Sequence, residues 1–168
     1  MSVKISYLKK KAIKSSSNLV LFLNDKYSVN NVKKYLSNSE FSYINDLLKT
    51  SDLKKNLLVF EASSKKKIIL ISIKNNLKNS DIENLGAEFY GRVNYGKNDE
   101  YLINIDSIIS KEENFIGFFL HGLKLKSYVF DKYKTKKETR VISINVFGKK
   151  NNFSSKKYLR FKALEEGT

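Results

Sequence analysis

The residue types that most often perform catalysis are scarce in this chain, which has one histidine, His121, and no cysteine. A nucleophilic triad needs Ser or Cys beside an imidazole and an orienting acid. Only His121 could supply the imidazole. It lies inside the apolar pattern of a helix, where a packed or half-exposed histidine is the favoured reading. The lack of Cys excludes a disulfide framework, a Cys-ligated zinc site and an Fe–S cluster, and a single His excludes a multi-histidine metal centre. Carboxylates occur as the neighbours Glu112-Glu113, Glu165-Glu166 and Asp99-Glu100. Adjacent acids on a helix point about 100° apart and rarely share a proton or a metal. The pair Glu112-Glu113 has a simpler role, complementing the positive end of a helix. No catalytic, cofactor-binding or metal-ligating residue is expected in this chain.

A phosphate cradle needs closely spaced glycines at a strand-to-helix turn. The available pairs, Gly86/Gly91, Gly91/Gly96 and Gly117/Gly122, all fall inside or at the ends of helix patterns. Such glycines more often permit close helix packing than phosphate approach. The turn Ile73-Lys74-Asn75-Asn76 has no glycine, which counts against a nucleotide site.

The net charge of +15 raises nucleic acid as a partner, because clustered cations neutralise phosphates and release counterions. The charge comes from 29 Lys and only 3 Arg, beside 18 Asn and 15 Ile. Those three abundant types share A/T-rich codons, whereas geometric readers of phosphate and bases favour Arg. Basic runs occur at Lys9–Lys11, Lys65–Lys67, Lys134 with Lys136 and Lys137, Lys149-Lys150 and Lys156-Lys157. Solvated loop charge is the plainer account of them. The last three are the candidate DNA contacts, with Tyr133 and Tyr158 beside two of them to stack on bases.

Six segments rich in branched and aromatic residues read as strands: Val3–Leu8, Asn18–Leu23, Asn56–Ala62, Lys67–Ile73, Glu100–Asp106 and Thr139–Phe147. The almost continuous apolar run of Lys67–Ile73 suits a central strand covered on both faces. Thr139–Phe147 alternates more, which suits a place nearer an edge. The short loop Ala62–Lys67 predicts an antiparallel hairpin of the third and fourth strands. Helices are expected over Ser39–Lys49, after a Ser80-Asp81 cap, and over Lys111–Tyr128, which is apolar on more than one face. Asn30–Leu36 suits one or two further turns, and Ser154 to Glu165 reads as a last helix. With 168 residues and no Pro- or Gly/Ser-rich linker, the expectation is a single α/β domain over 1–168. It has three layers, a mixed central sheet of about six strands flanked by helices. No apolar run approaches a membrane span and no secretory leader is visible, so the chain reads as cytoplasmic.

One stretch goes beyond a generic α/β pattern. Gly122-Leu123-Lys124-Leu125-Lys126-Ser127-Tyr128-Val129-Phe130-Asp131-Lys132-Tyr133-Lys134-Thr135 resembles a signature late in the N-terminal domain of the leucine (cytosol) aminopeptidases. Upstream, Leu85-Gly86-Ala87-Glu88 followed by Gly91-Arg92-Val93 is similar to that family's Gly-Ala helix. Downstream, Ala163 to Thr168 resembles the segment leading into its catalytic domain. The chain departs from the family at Ile73-Lys74-Asn75, where many members have a Gly-Leu-Gly turn, and at His121, which is often acidic there.

The resemblance implies a macro-domain-like fold and a non-catalytic role. The family removes N-terminal residues from peptides with two divalent metals, Zn or Mn, which polarise the scissile carbonyl and supply hydroxide. Those metals and their ligands belong to a catalytic domain expected to follow Thr168. The implied partners are that domain and sister subunits of a hexamer, with no membrane. The family-motif residues Gly86, Ala87, Gly122, Leu123, Tyr128, Phe130, Asp131, Tyr133 and Lys134 are then structural, so Tyr128→Ala or Phe130→Ala is expected to unfold the domain. A DNA-binding module is the alternative from another class, and an ADP-ribose reader a third.

Overall fold

A computed structural model describes residues 2–8, 18–93, 100–110, 112, 114–132 and 141–148. The elements are strands β1 (Ser2–Leu8), β2 (Asn18–Asn24), β3 (Leu57–Glu61), β4 (Lys67–Ile73), β5 (Glu100–Asn104) and β6 (Val141–Phe147), and helices α1 (Asn38–Leu48), α2 (Asn79–Val93) and α3 (Phe115–Lys132). Two 3-10 segments, Val29–Tyr35 and Ile105–Ser107, complete them. The six strands form one mixed sheet in the order β1-β6-β5-β2-β4-β3. All neighbours are parallel except the β3–β4 hairpin. The predicted three-layer α/β fold is present.

Strand alternation divides the core into two. Val20 and Phe22 of β2 and Ile69, Ile71 and Ile73 of β4 face α2 and α3. Leu19, Leu21 and Leu23, with Ile68 and Leu70, face α1 and the Val29–Tyr35 segment. Burial of both faces is why β2 and β4 read as unbroken apolar runs. The α2/α3 side is built on rings. Phe22 meets Phe115 and Phe119 edge-on, at 5.5 and 5.4 Å between centroids, and Phe89 meets Tyr101 at 5.7 Å. Edge-to-face geometry places the positive rim of one ring on the negative face of the next.

Several expectations need correction. β4 is covered on both faces but is not central, since it lies between β2 and the edge strand β3. β6 does lie near an edge, as expected, one strand in, between β1 and β5 and hydrogen-bonded on both sides. Its alternation records a single well-covered face: Ile142, Ile144 and Val146 are buried, while Val141 is exposed and Ser143, Asn145 and Phe147 are half-buried. β5 stops at Asn104, where the expected strand ran on to Asp106. A local side-chain alternative competes with the ladder there: the Asn104 side chain accepts from Asp106 N–H at 2.9 Å, and the Ser107 hydroxyl accepts from Phe22 N–H at 3.0 Å. Thus Ser107 takes the place of a strand partner for β2. The segment expected to give one or two turns at Asn30–Leu36 is the 3-10 helix Val29–Tyr35.

Helix starts shift for similar reasons. α2 begins at Asn79, with Asp81 acting from within the first turn by accepting from Lys78 N–H at 2.9 Å. α3 begins at Phe115 rather than Lys111, because the Glu112 carboxylate accepts from Asn114 N–H at 3.0 Å and its carbonyl from Phe115 N–H. It then runs past Tyr128 to Lys132. At the opposite edge of the sheet, buried Asn18 stitches three strands. Its amide donates to the Glu100 carbonyl at 3.2 Å, and its oxygen accepts from Lys67 N–H at 2.8 Å.

Candidate functional site

The residues singled out in sequence gather mainly on the α2–α3 pair. A Cβ on Gly86 would fall onto the carbonyl oxygen of Phe119 in α3, and one on Gly122 onto the carbonyl oxygen of Glu83 in α2. The two glycines therefore let the helix backbones touch. Gly91 has no neighbour within 4 Å of such a Cβ, so packing does not require a glycine there. Leu123 and Ser127 are buried beside Gly122, and Ala87 is half-buried.

Tyr128 departs from expectation. It is 48% exposed, with Lys124 Nζ 5.9 Å from its ring centre, and Leu125 is 40% exposed. Three residues on from Leu125, Tyr128 lies on the same outer stripe of α3, away from the sheet. It therefore does not pack the helix onto the core. α3 is apolar on two faces, and the sheet and α2 take one of them. The side chains of Phe130 and Asp131 lie outside the described residues, as do Tyr133, Lys134, Lys136, Lys137, Lys149, Lys150, Lys156 and Lys157. The segments Ser154 to Glu165 and Ala163 to Thr168 lie outside them too. His121 is half-buried on α3.

The lysines that are described mostly face solvent. Lys66, Lys67 and Lys124 are half-buried, and Lys66 is the one with a close acidic partner that is itself mostly covered. Its ammonium donates to Glu40 Oε1 at 2.8 Å, with the two side chains only 16% and 19% exposed. Burial alone would raise the Glu40 carboxyl. The hydrogen bond from Lys66, the Ser37 N–H and the Lys66 charge outweigh it and hold the group below its usual value. Glu40 also closes a capping box with Ser37 at the start of α1. On the same side of the sheet, Tyr27 donates its phenol to the Lys55 carbonyl at 2.5 Å, and burial, then the Glu88 charge, push that phenol above its usual range.

The topology creates one more feature that sequence reasoning did not find. The connection leaving β2 leads to α1 on one face, whereas those leaving β4 and β5 lead to α2 and α3 on the other. β2 lies between β4 and β5, so the connections part at the carboxyl edge of the sheet. A crevice of 560 Å³ opens there. Lys74, Asn75, Asn76 and Leu77 line it from the β4–α2 connection, and Ile109, Ser110 and Glu112 from the β5–α3 connection. Asn76 adopts the left-handed conformation, φ 61°. Asn does so more readily than other non-glycine residues, so the glycine-free turn still reaches this geometry.

No protein-family model and no curated protein matches the sequence. Among solved structures, a mutant of tomato leucine aminopeptidase superposes with a TM-score of 0.67 at 11% identity. The match covers 99% of this chain and 36% of that chain. What the two share is a fold. The chain thus spans about a third of the length of the enzyme it is similar to. Among the described residues no three His, Asp or Glu side chains come together as metal ligands. No helix among them is long and apolar enough to cross a membrane.

Proposed function

We propose that this chain serves as the non-catalytic N-terminal domain of a leucine aminopeptidase-type metallopeptidase, assembling and positioning a catalytic partner. The observation that carries the reading is the extent of the fold likeness, nearly all of this chain against about a third of the enzyme's. The signature Gly122 to Thr135 supports it independently, because its first half supplies the Gly122 contact that docks α3 on α2. In this reading two divalent metals, Zn or Mn, bind in the partner and carry the hydrolysis. No step of that chemistry is assigned to residues of this chain.

The work of the domain is then mechanical. A rigid ring-filled layer holds α3, and α3 presents Leu125 and Tyr128 outward. The test is to assay the purified chain with Zn or Mn on a leucyl anilide, then to co-express it with a leucine aminopeptidase catalytic domain lacking its own N-terminal domain. The expected result is no hydrolysis alone, and co-elution with raised hydrolysis in the pair. Hydrolysis by the chain alone, or a folded chain that elutes apart from the catalytic domain, would overturn the proposal.

A further inference from the structure

We infer that a second cavity, on the flank of α2, binds a small aliphatic α-amino acid as its zwitterion. The inference is independent of the peptidase reading, since it concerns what this chain binds by itself. The cavity follows from a mismatch in strand length. β3 starts at Leu57, opposite Ile71, so Ser72 and Ile73 of β4 run on with no neighbouring strand on that side. The last tie there is the Ser72 N–H, which donates to the Asn56 carbonyl at 2.9 Å. α2 flanks this gap, and a space of 330 Å³ remains between it, Asn56 and the end of β4. That volume is at the small end of ligand pockets, which run from about 300 to 1,000 Å³. It suits a molecule of few atoms.

The charges on its walls select the ligand. Asp81, Asn84 and Glu88 recur at three and four residues, so they share one flank of α2 over roughly 10 Å. Asp81 is already engaged at the start of the helix, accepting from Lys78 N–H at 2.9 Å. Glu88 is half-buried and has no cationic partner among the described residues. Arg92, one turn on, makes no ion pair with it and does not line the cavity. Glu88 Oε2 accepts from the Asn56 side-chain amide at a long 3.5 Å. Its charge acts through a poorly screened interior, since it helps to raise the buried Tyr27 phenol. A carboxylate so placed is short of donors, and an ammonium group supplies three. Lys74 lines the cavity at the end of β4, exposed and without an ion pair among the described residues. A pure cation would meet repulsion from Lys74, and a pure anion repulsion from Asp81 and Glu88. A zwitterion satisfies both signs, with its ammonium on Glu88 and its carboxylate on Lys74. Leu85, buried, and Leu77, half-buried, offer apolar surface to an aliphatic side chain.

The test is calorimetric titration of the full chain with L-valine and three analogues. Isobutylamine lacks the carboxylate, isovalerate lacks the ammonium and glycine lacks the side chain. Valine is expected to bind saturably, with each analogue weaker by about tenfold or more. Glu88→Gln keeps an acceptor for the Asn56 amide and is expected to weaken valine by about tenfold, as is Lys74→Ala. Lys4→Ala, exposed on the strand at the opposite edge of the sheet, is expected to leave it unchanged. Thermal melts of each variant establish that it is folded, and the analogue series needs only the unaltered chain. The inference fails if valine gives no saturable heat up to about 10 mM. It also fails if any analogue binds as tightly as valine. Equal affinity of the folded Glu88→Gln or Lys74→Ala chain, or an equal loss in Lys4→Ala, would overturn it as well.

Discussion

Gly122 of α3 lies so close to Glu83 of α2 that a Cβ at position 122 would come within 2.6 Å of the Glu83 carbonyl carbon. Gly86 makes the reciprocal approach, to the Phe119 main chain. Two glycines on facing helices thus set the spacing of one layer. That spacing lets Phe89 and Phe119 reach each other and lets Phe119 reach Phe22 in the sheet.

Gly122→Ala and Gly86→Ala should each force the helices apart. The obstacle is backbone, which cannot swing aside as a side chain can. Overpacking of this kind costs about 1–3 kcal/mol or more, a fall in Tm of about 5 °C or more for a chain of this size. Gly91→Ala meets nothing within 4 Å and should gain about 0.5–1 kcal/mol from helix propensity. Thermal unfolding followed by circular dichroism separates the three, and equal losses at all three positions would remove the packing argument.

Tyr128→Ala should change stability by less than about 0.5 kcal/mol, as expected of a surface position. Phe119→Ala, at a fully buried position in the ring cluster, should cost about 3–5 kcal/mol. Urea denaturation checks both. If Tyr128 belongs to a docking surface, its loss should show only in co-elution with the catalytic partner. A large loss of stability for Tyr128→Ala would return it to the core.

Much of the fold was legible because burial and periodicity speak through local residue types. Lys67–Ile73 reads as a strand with the bounds it has, since six consecutive residues are covered on both faces. The short Ala62–Lys67 loop likewise announces its hairpin, closed by Ala62 N–H to the Lys66 carbonyl at 2.9 Å. Sheet order is long-range and left no local trace. The pattern of β6 is that of a strand with one covered face, and an edge strand produces the same pattern. Nor could sequence show that β2 would lie between β4 and β5, which is what opens the crevice. The exposure of Tyr128 was hidden for a related reason. An apolar stripe states that a face prefers cover and leaves open which molecule provides it.

Ser107→Ala tests the end of β5. Phe22 is 1% exposed, so its N–H cannot turn to water when the Ser107 hydroxyl is lost. Leaving a buried donor unmet costs about 1–3 kcal/mol. Hydrogen exchange at the Phe22 amide should quicken more than at Val20, whose neighbourhood keeps the β2–β5 pairing. Uniform quickening along β2 would mean that Ser107 supports the sheet generally and has no special tie to Phe22.

The Glu40–Lys66 pair should make part of the stability depend on acid. The Glu40 carboxyl is held below its reference value of 4.5 in the folded chain, against the effect of its own burial. A group with a depressed folded-state pKa binds fewer protons folded than unfolded in the intervening window. Stability therefore rises with pH there, is complete above the unfolded-state value, and is lost as pH falls through the folded-state value. Glu40→Gln keeps the size and the acceptor for Ser37 N–H but removes the charge facing Lys66. At pH 7 it should cost about 1 kcal/mol, in keeping with a charge-assisted hydrogen bond at a mostly buried pair. Below the folded-state value the native carboxyl is itself neutral, so the difference between the two proteins should close. Urea unfolding of both proteins from pH 7 downward measures that gap directly. A gap of constant size across the range would place the contribution of Glu40 in its cap geometry, and its charge would have no part in stability.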